Sequence, residues 1–277
     1  MSDGKLLIGT LSLVPKKALS RGVRGLVQVR SAMAVRRFAA KFGIDLAEAE
    51  HPVERYGTIL ELFTRRLKPG VRPLDPDPRA LLSPVDAKLD VYGKIEGGRL
   101  VQAKGREYTL AALLGDEALA ARYEGGSFAT LYLSPKDYHR IHSPASGRVL
   151  GYTYVPGELW PVNAAAVRHV DSLFARNERV ITHLETAPFG RMEVVMVGAT
   201  NVGHMTLAYD EALRTNVGAK EVVRRAYDAP LALERGAELG VFEMGSTVIL
   251  VLEPKVALDP IPMGSFVRMG TRLGLTA

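Results

Sequence analysis

From about residue 80 onward, apolar residues come in short runs separated by glycine, proline and charge. β-branched and aromatic side chains enrich segments 89–91, 100–103, 129–133, 147–154, 179–184, 192–198 and 248–252, and each reads as a strand. Gly97-Gly98, Gly125-Gly126 and Pro156-Gly157 punctuate them. Short helices are predicted over 110–114 and 164–169. So many strands without regular βαβ alternation predict an α+β fold with a mainly antiparallel, barrel- or sandwich-like β core. Upstream the period changes. On a helix over 24–42, Val27, Ala34, Val35, Phe38 and Phe42 fall on one arc, with Arg30, Arg37 and Lys41 along its flank. Arg24 breaks this pattern. Between the two regions lies Arg72-Pro73-Leu74-Asp75-Pro76-Asp77-Pro78, whose prolines block both helix and continuous pairing. The expected organisation is an N-terminal helical, basic segment over 1–72 and a β-rich domain over 73–277.

Charge sharpens the picture at the N-terminus. The chain of 277 residues carries a net +6, yet residues 1–42 hold nine basic side chains against the single acid Asp3. That imbalance calls for an anionic partner. A helix with an apolar arc and a cationic flank suits the surface of an anionic membrane, and it equally suits packing on its own domain with a solvated basic face. Nucleic acid is not expected, because no aromatic residues alternate with the charges as stacking platforms. No apolar run approaches the roughly 20 residues needed to span a bilayer. With no cysteine present, disulfides, thiolate metal sites and cysteine nucleophiles are excluded.

Candidate chemistry gathers in three places. Met244-Gly245-Ser246-Thr247 puts a glycine and two hydroxyls just ahead of the apolar run 248–252. This is either a plain turn or a reactive Gly245–Ser246 peptide bond. In Tyr138-His139-Arg140-Ile141-His142-Ser143-Pro144, two histidines lie three apart. A shared helix face could hold a metal, but Pro135, Pro144 and Gly147 argue against a long helix, and no metal is expected. Asp86 follows Ser83-Pro84, a turn that resembles Ser143-Pro144-Ala145-Ser146-Gly147. Asp86, His142 and Ser246 thus supply the parts of an orienter, a base and a nucleophile, a set defined by geometry rather than chain order.

Four stretches together carry a family resemblance: SPVDAKL around Asp86, YLSPKDYHRIHSPASGRVLG (132–151), PVNAAAVRHVDSLFARNERVI (161–181) and MGSTVIL (244–250). From about residue 50 to its end the chain resembles the bacterial phosphatidylserine decarboxylases, pyruvoyl-dependent enzymes that mature by cutting themselves. Met244 stands where the common bacterial form has leucine, a swap of similar volume. The resemblance implies a self-processing triad of Asp86, His142 and Ser246, with cleavage between Gly245 and Ser246. A large 1–245 and a small 246–277 chain would then form a heterodimer, its further oligomerisation left open. Ser246 would become a covalent pyruvoyl group, which forms a Schiff base with phosphatidylserine and releases carbon dioxide to give phosphatidylethanolamine. His139 would serve decarboxylation or protonation. A lipid substrate favours the membrane reading of the N-terminus, with peripheral attachment to the cytoplasmic face of the cell membrane. A serine hydrolase using the same trio, or a non-catalytic β-type binding module, are the alternatives. His139 and His142 would face opposite sides of a regular strand, so both can serve one pocket only if the chain turns between them.

Overall fold

The run Thr247–Leu252 is buried at every position and pairs on both sides, with Gly190–Val197 and with Ser127–Tyr132. A strand covered on both faces has no use for polar alternation, which accounts for its unbroken apolar sequence. It lies inside an antiparallel sheet of eight strands. Their order is Val223–Leu233, Gly147–Val155, Arg179–Thr186, Gly190–Val197, Thr247–Leu252, Ser127–Tyr132, Ala87–Lys94 and Phe266–Val267. The computed structural model describes residues 16–103, 106–200, 204–217, 220–243 and 247–276.

The sheet is open rather than barrel-like. Its outer strands, Val223–Leu233 and Phe266–Val267, each pair on one side only, and the second is two residues long. Closure would require the two edges to meet along a matched ladder. Two three-stranded sheets flank it among the described residues. One holds Met205–Leu207, Glu238–Phe242 and Arg140–His142; the other holds Ala80–Leu82, Arg272–Thr276 and Val256–Leu258. The helices expected over 110–114 and 164–169 form as Leu110–Leu114 and Ala164–His169, capped by Thr109 and Asn163.

The N-terminal helical segment divides in two: α1, Lys16–Val27, and α2, Ala32–Phe42. Ser31 separates them. Its backbone is extended, and its hydroxyl accepts the Ala34 N–H at 3.2 Å, as a new helix start requires. Gly43, at φ 67°, ends α2. The arc expected to dip into lipid turns inward instead. Val27 and Val35 are buried, and Phe38 and Phe42 pack beside Val35, Ala39, Ile44, Tyr56 and Leu62 in a small second core. What remains exposed is a different set: Leu19, Leu26, Val29 and Met33. A third helix, α3 (Ile59–Phe63), starts at the Thr58 cap and brings Phe63 against the His139 ring. No helix among the described residues is long and apolar enough to cross a membrane.

Candidate active site

The two Ser-Pro turns anticipated from sequence are structural equivalents and clasp each other. Ser83 Oγ donates to the Val85 carbonyl at 2.7 Å, and Ser143 Oγ donates to the Ala145 carbonyl at 2.6 Å. The Leu82 N–H bonds to the Pro144 carbonyl, and the His142 N–H bonds to the Pro84 carbonyl. Each turn is braced from outside by a glycine in the left-handed region. The Gly270 N–H donates to Ser83 O and the Gly236 N–H to Ser143 O, at φ 87° and 78°. A Cβ at Gly236 would lie 2.8 Å from Leu74 Cδ1, and one at Gly270 would lie 2.8 Å from the Pro73 carbonyl. Both glycines are therefore fixed by conformation and by space. This reciprocal clasp sets the Asp86 turn against the strand end that bears His142.

His142 is buried, and both ring nitrogens are committed. Nδ1 lies 2.7 Å from the Gly236 carbonyl and Nε2 lies 3.0 Å from the Tyr138 hydroxyl. A carbonyl can only accept, so the proton of the neutral ring sits on Nδ1 and the Nε2 lone pair accepts from Tyr138. Burial lowers the imidazole's affinity for a second proton, against the opposing pull of the Gly236 carbonyl. Burial also raises the Tyr138 phenol to about 12, so it remains a donor. Tyr138 and Gly236 were missed as site residues. The tyrosine stood within the histidine motif, whereas nothing local marks the glycine.

The direct Asp86–His142 hydrogen bond expected of an orienter is replaced by other contacts. The Asp86 carboxylate accepts from Arg72 Nε at 2.9 and 3.0 Å and from Arg72 Nη2 at 2.5 Å, and it takes the Met269 N–H at 2.8 Å. Arg72 Nη2 also reaches Glu48, again at 2.5 Å. Burial works against the Arg72 charge, but the hydrogen bonds and charges of Asp86 and Glu48 more than offset it and hold the guanidinium above its ordinary value. Arg72, at the head of the proline-rich stretch between the two regions, is a keystone with a buried guanidinium.

His139 precedes the strand Arg140–His142, so the two imidazoles are not bound to strand alternation. Its Nδ1 lies 2.8 Å from the Asp137 carbonyl, and its ring is 3.9 Å from Phe63, centroid to centroid. Nε2 is buried and has no partner among the described residues. Burial pushes the His139 pKa down to about 3, with nearby Arg65 adding to the effect and the Asp137 carbonyl opposing it. The result is a neutral imidazole that presents an unused lone pair. Thr247 Oγ1, at the start of the central strand, is a second buried polar atom without a partner among the described residues.

Chain pairing links these groups to the chain on either side of residues 244–246. Glu238–Phe242 runs antiparallel to Arg140–His142, with Glu238 opposite His142. The Phe242 N–H donates to the His139 carbonyl at 3.0 Å. Met244, Gly245 and Ser246 lie outside the described residues. The chain before them runs through Glu238–Phe242, laddered to the histidine segment, to Glu243, and the chain after them starts at Thr247 in the central sheet. The Thr247 hydroxyl can donate to a carbonyl and the His139 Nε2 lone pair can accept from an amine, so each of these buried groups fits a small carbonyl or the amine that reacts with it.

A family model described as phosphatidylserine decarboxylase matches residues 59–275. The chain belongs to the phosphatidylserine decarboxylase family. It is 52% identical to the phosphatidylserine decarboxylase proenzyme of Anaeromyxobacter sp. (strain K), an alignment covering 99% of each chain. The proenzyme of Myxococcus xanthus (strain DK1622) is 46% identical over 96% of each chain. That of Brevibacillus brevis (strain 47) is 43% identical over 90% of this chain and 89% of its own. As a phosphatidylserine decarboxylase the chain is a carboxy-lyase, and the expectation drawn from the four motif stretches holds at that level.

Proposed function

We propose that this phosphatidylserine decarboxylase cuts its own backbone between Gly245 and Ser246, and that the pyruvoyl group left on the 246–277 chain is where the lipid headgroup loses carbon dioxide. His142, protonated on Nδ1 toward Gly236, takes the Ser246 hydroxyl proton at Nε2 once the Tyr138 hydroxyl yields that lone pair. The serine oxygen attacks the Gly245 carbonyl carbon, and the peptide link becomes an ester. Loss of the Ser246 α-proton then breaks the Cβ–O bond and releases residues 1–245 as a carboxylate; the dehydroalanine left at position 246 tautomerises to an imine, adds water and expels ammonia to become the pyruvoyl group. Asp86 is a positioning residue. Through Arg72 and the paired Ser-Pro turns it holds the His142 backbone, and its charge favours the imidazolium formed during the cut. A pyruvoyl carbonyl supplies the electron sink for an amine substrate. His139, neutral with a free Nε2 lone pair, takes a proton from the substrate's ammonium group and returns it to the carbon that has lost its carboxylate. The observation that carries this reading is the ladder joining Glu238–Phe242 to the histidine segment, with the Phe242 N–H on the His139 carbonyl.

The two chains stay together after the cut, because Thr247–Leu252 is paired on both sides within the main sheet and Arg272–Thr276 pairs with Ala80–Leu82. The enzyme attaches peripherally to the cytoplasmic face of the membrane. Exposed Leu19, Leu26, Val29 and Met33, among the basic residues of α1 and α2, form the contact.

Intact-mass measurement tests the chemistry. The wild type is expected as two chains divided between Gly245 and Ser246, with the small chain lighter by one ammonia. Ser246→Ala and His142→Ala remain whole. His139→Ala is expected to cut normally and to decarboxylate at least about 100-fold more slowly, the scale of a lost acid–base group. An uncut His139→Ala chain would mean that the two imidazoles exchange roles. A single intact wild-type chain that decarboxylates the lipid would remove the mechanism.

A further inference from the structure

Helix α1 is poorly equipped to stand alone. It has twelve residues, two interior glycines at 22 and 25, and Lys16 at its positively polarised end. Each interior glycine costs about 1 kcal/mol relative to alanine, and a cation at that end opposes the helix dipole. The helix is therefore held by what it touches. Its inward contacts recur at four-residue spacing, which on an α-helix is a single face. Lys16 lies 3.8 Å over the Trp160 ring and 4.0 Å from Glu158. Ser20 is buried and accepts from Asn216 Nδ2 at 3.4 Å. Arg24, the residue that broke the apolar pattern, binds Glu243 through Nε at 2.8 Å and Nη2 at 3.3 Å. The inward face is therefore largely polar, with Val27 the buried apolar residue on it, while Leu19 and Leu26 are exposed.

Glu243 is the unusual member of this set. It lies two residues before Gly245, its N–H donates to the His204 carbonyl at 3.1 Å, and the preceding Phe242 N–H donates to the His139 carbonyl. Arg24 thus grips the last described residue before the cleavage segment, in a stretch already pinned to the histidine strand. We propose that the Arg24–Glu243 ion pair is a positioning device for self-cleavage, through which docking of helix α1 fixes the approach of the chain to the Gly245–Ser246 bond. The inference rests on the self-cleavage reading above and adds to it a specific contribution from the N-terminal helix. It also gives that helix two separate tasks: outward leucines toward lipid, inward arginine toward the reacting segment.

A charge exchange tests the pair. Self-cleavage is followed from a synchronised translation reaction by gel and mass for wild type, Arg24→Glu, Glu243→Arg and the double exchange Arg24→Glu/Glu243→Arg. Each single reversal is expected to slow cutting by about fivefold or more, the scale of a part-exposed ion pair replaced by repulsion. The double exchange is expected to recover most of the wild-type rate, with thermal midpoints of the four chains within a few degrees. A purely structural helix contact would lower the midpoints of the single variants and leave the cutting rate of the folded chains unchanged. Wild-type cutting rates in both single variants would overturn the inference. Slow singles with no recovery in the double would also overturn it, since Glu243 would then act without Arg24. A wild-type chain that never cuts removes the self-cleavage reading, and the inference falls with it for a different and visible reason.

Discussion

His139 shows what burial does to an ordinary side chain. Its Nδ1 proton serves the Asp137 carbonyl, its ring stacks on Phe63, and its Nε2 stays dry. The sign of the resulting pH effect follows from its pKa, about 3 in the folded chain against an ordinary value near 6.5. Below pH 6.5 the unfolded chain binds a proton that the folded chain refuses. The stability tied to this group is therefore fully present above that point and is lost as the pH falls toward 3. Denaturant titrations at pH 7 and pH 5 are expected to show a larger loss for the wild type than for His139→Phe, with the difference approaching about 1.4 kcal/mol per pH unit well below 6.5. Parallel losses would mean that the imidazole takes up its proton without unfolding. His142 is shifted in the same direction. The two histidines and Asp86 were legible as candidates because the residue types sat beside turns. Their partners were not, since Gly236 and Arg72 act on His142 and Asp86 from 94 and 14 residues away.

At the scale of elements, strands and short helices formed where local pattern announced them, and the N-terminal helices departed from the pattern in an instructive way. A hydrophobic arc states which side of a helix avoids water, not what it meets instead. In α2 the arc meets Tyr56 and Leu62 of the same chain, since a second small core is available there. Val223–Leu233 escaped sequence reading altogether, because a sheet edge exposed over most of its length carries charge, Pro230 and little alternation. The membrane prediction therefore transfers to the exposed residues. Replacing Leu19 and Leu26 together by serine is expected to lower partition onto phosphatidylserine-containing vesicles by at least about tenfold, from the loss of two apolar anchors. Residual binding should weaken further with salt, as attraction between basic residues and headgroups is screened. Unchanged sedimentation with vesicles would place the contact elsewhere.

For the whole molecule, the decisive tie is Arg72. It joins Glu48 of the N-terminal region to Asp86 of the β domain, with little exposure of either Arg72 or Asp86. Removing one partner from a buried ion pair leaves the other charge unpaired, at a cost of about 3–5 kcal/mol. Arg72→Met is accordingly expected to lower the unfolding free energy by that order and to slow self-cleavage, whereas Glu48→Gln, at a more exposed carboxylate, should do less. Equal stability of Arg72→Met and wild type by denaturant titration would contradict the keystone role. The sheet order has its own consequence: residues 247–252 are paired on both sides inside the main sheet, so a cut in the backbone ahead of them need not release them.

The sequence by itself determined the strand-rich class, the apolar central strand, the Ser-Pro turns and the family, because period, turn chemistry and short motifs are local properties. It could not decide which carbonyl would hold each imidazole, which charge would answer Asp86, or which face of the N-terminal helices would stay dry. Those outcomes depend on distant segments arriving together, and only the tertiary structure sets the burial and pairing that assign one partner to each polar atom.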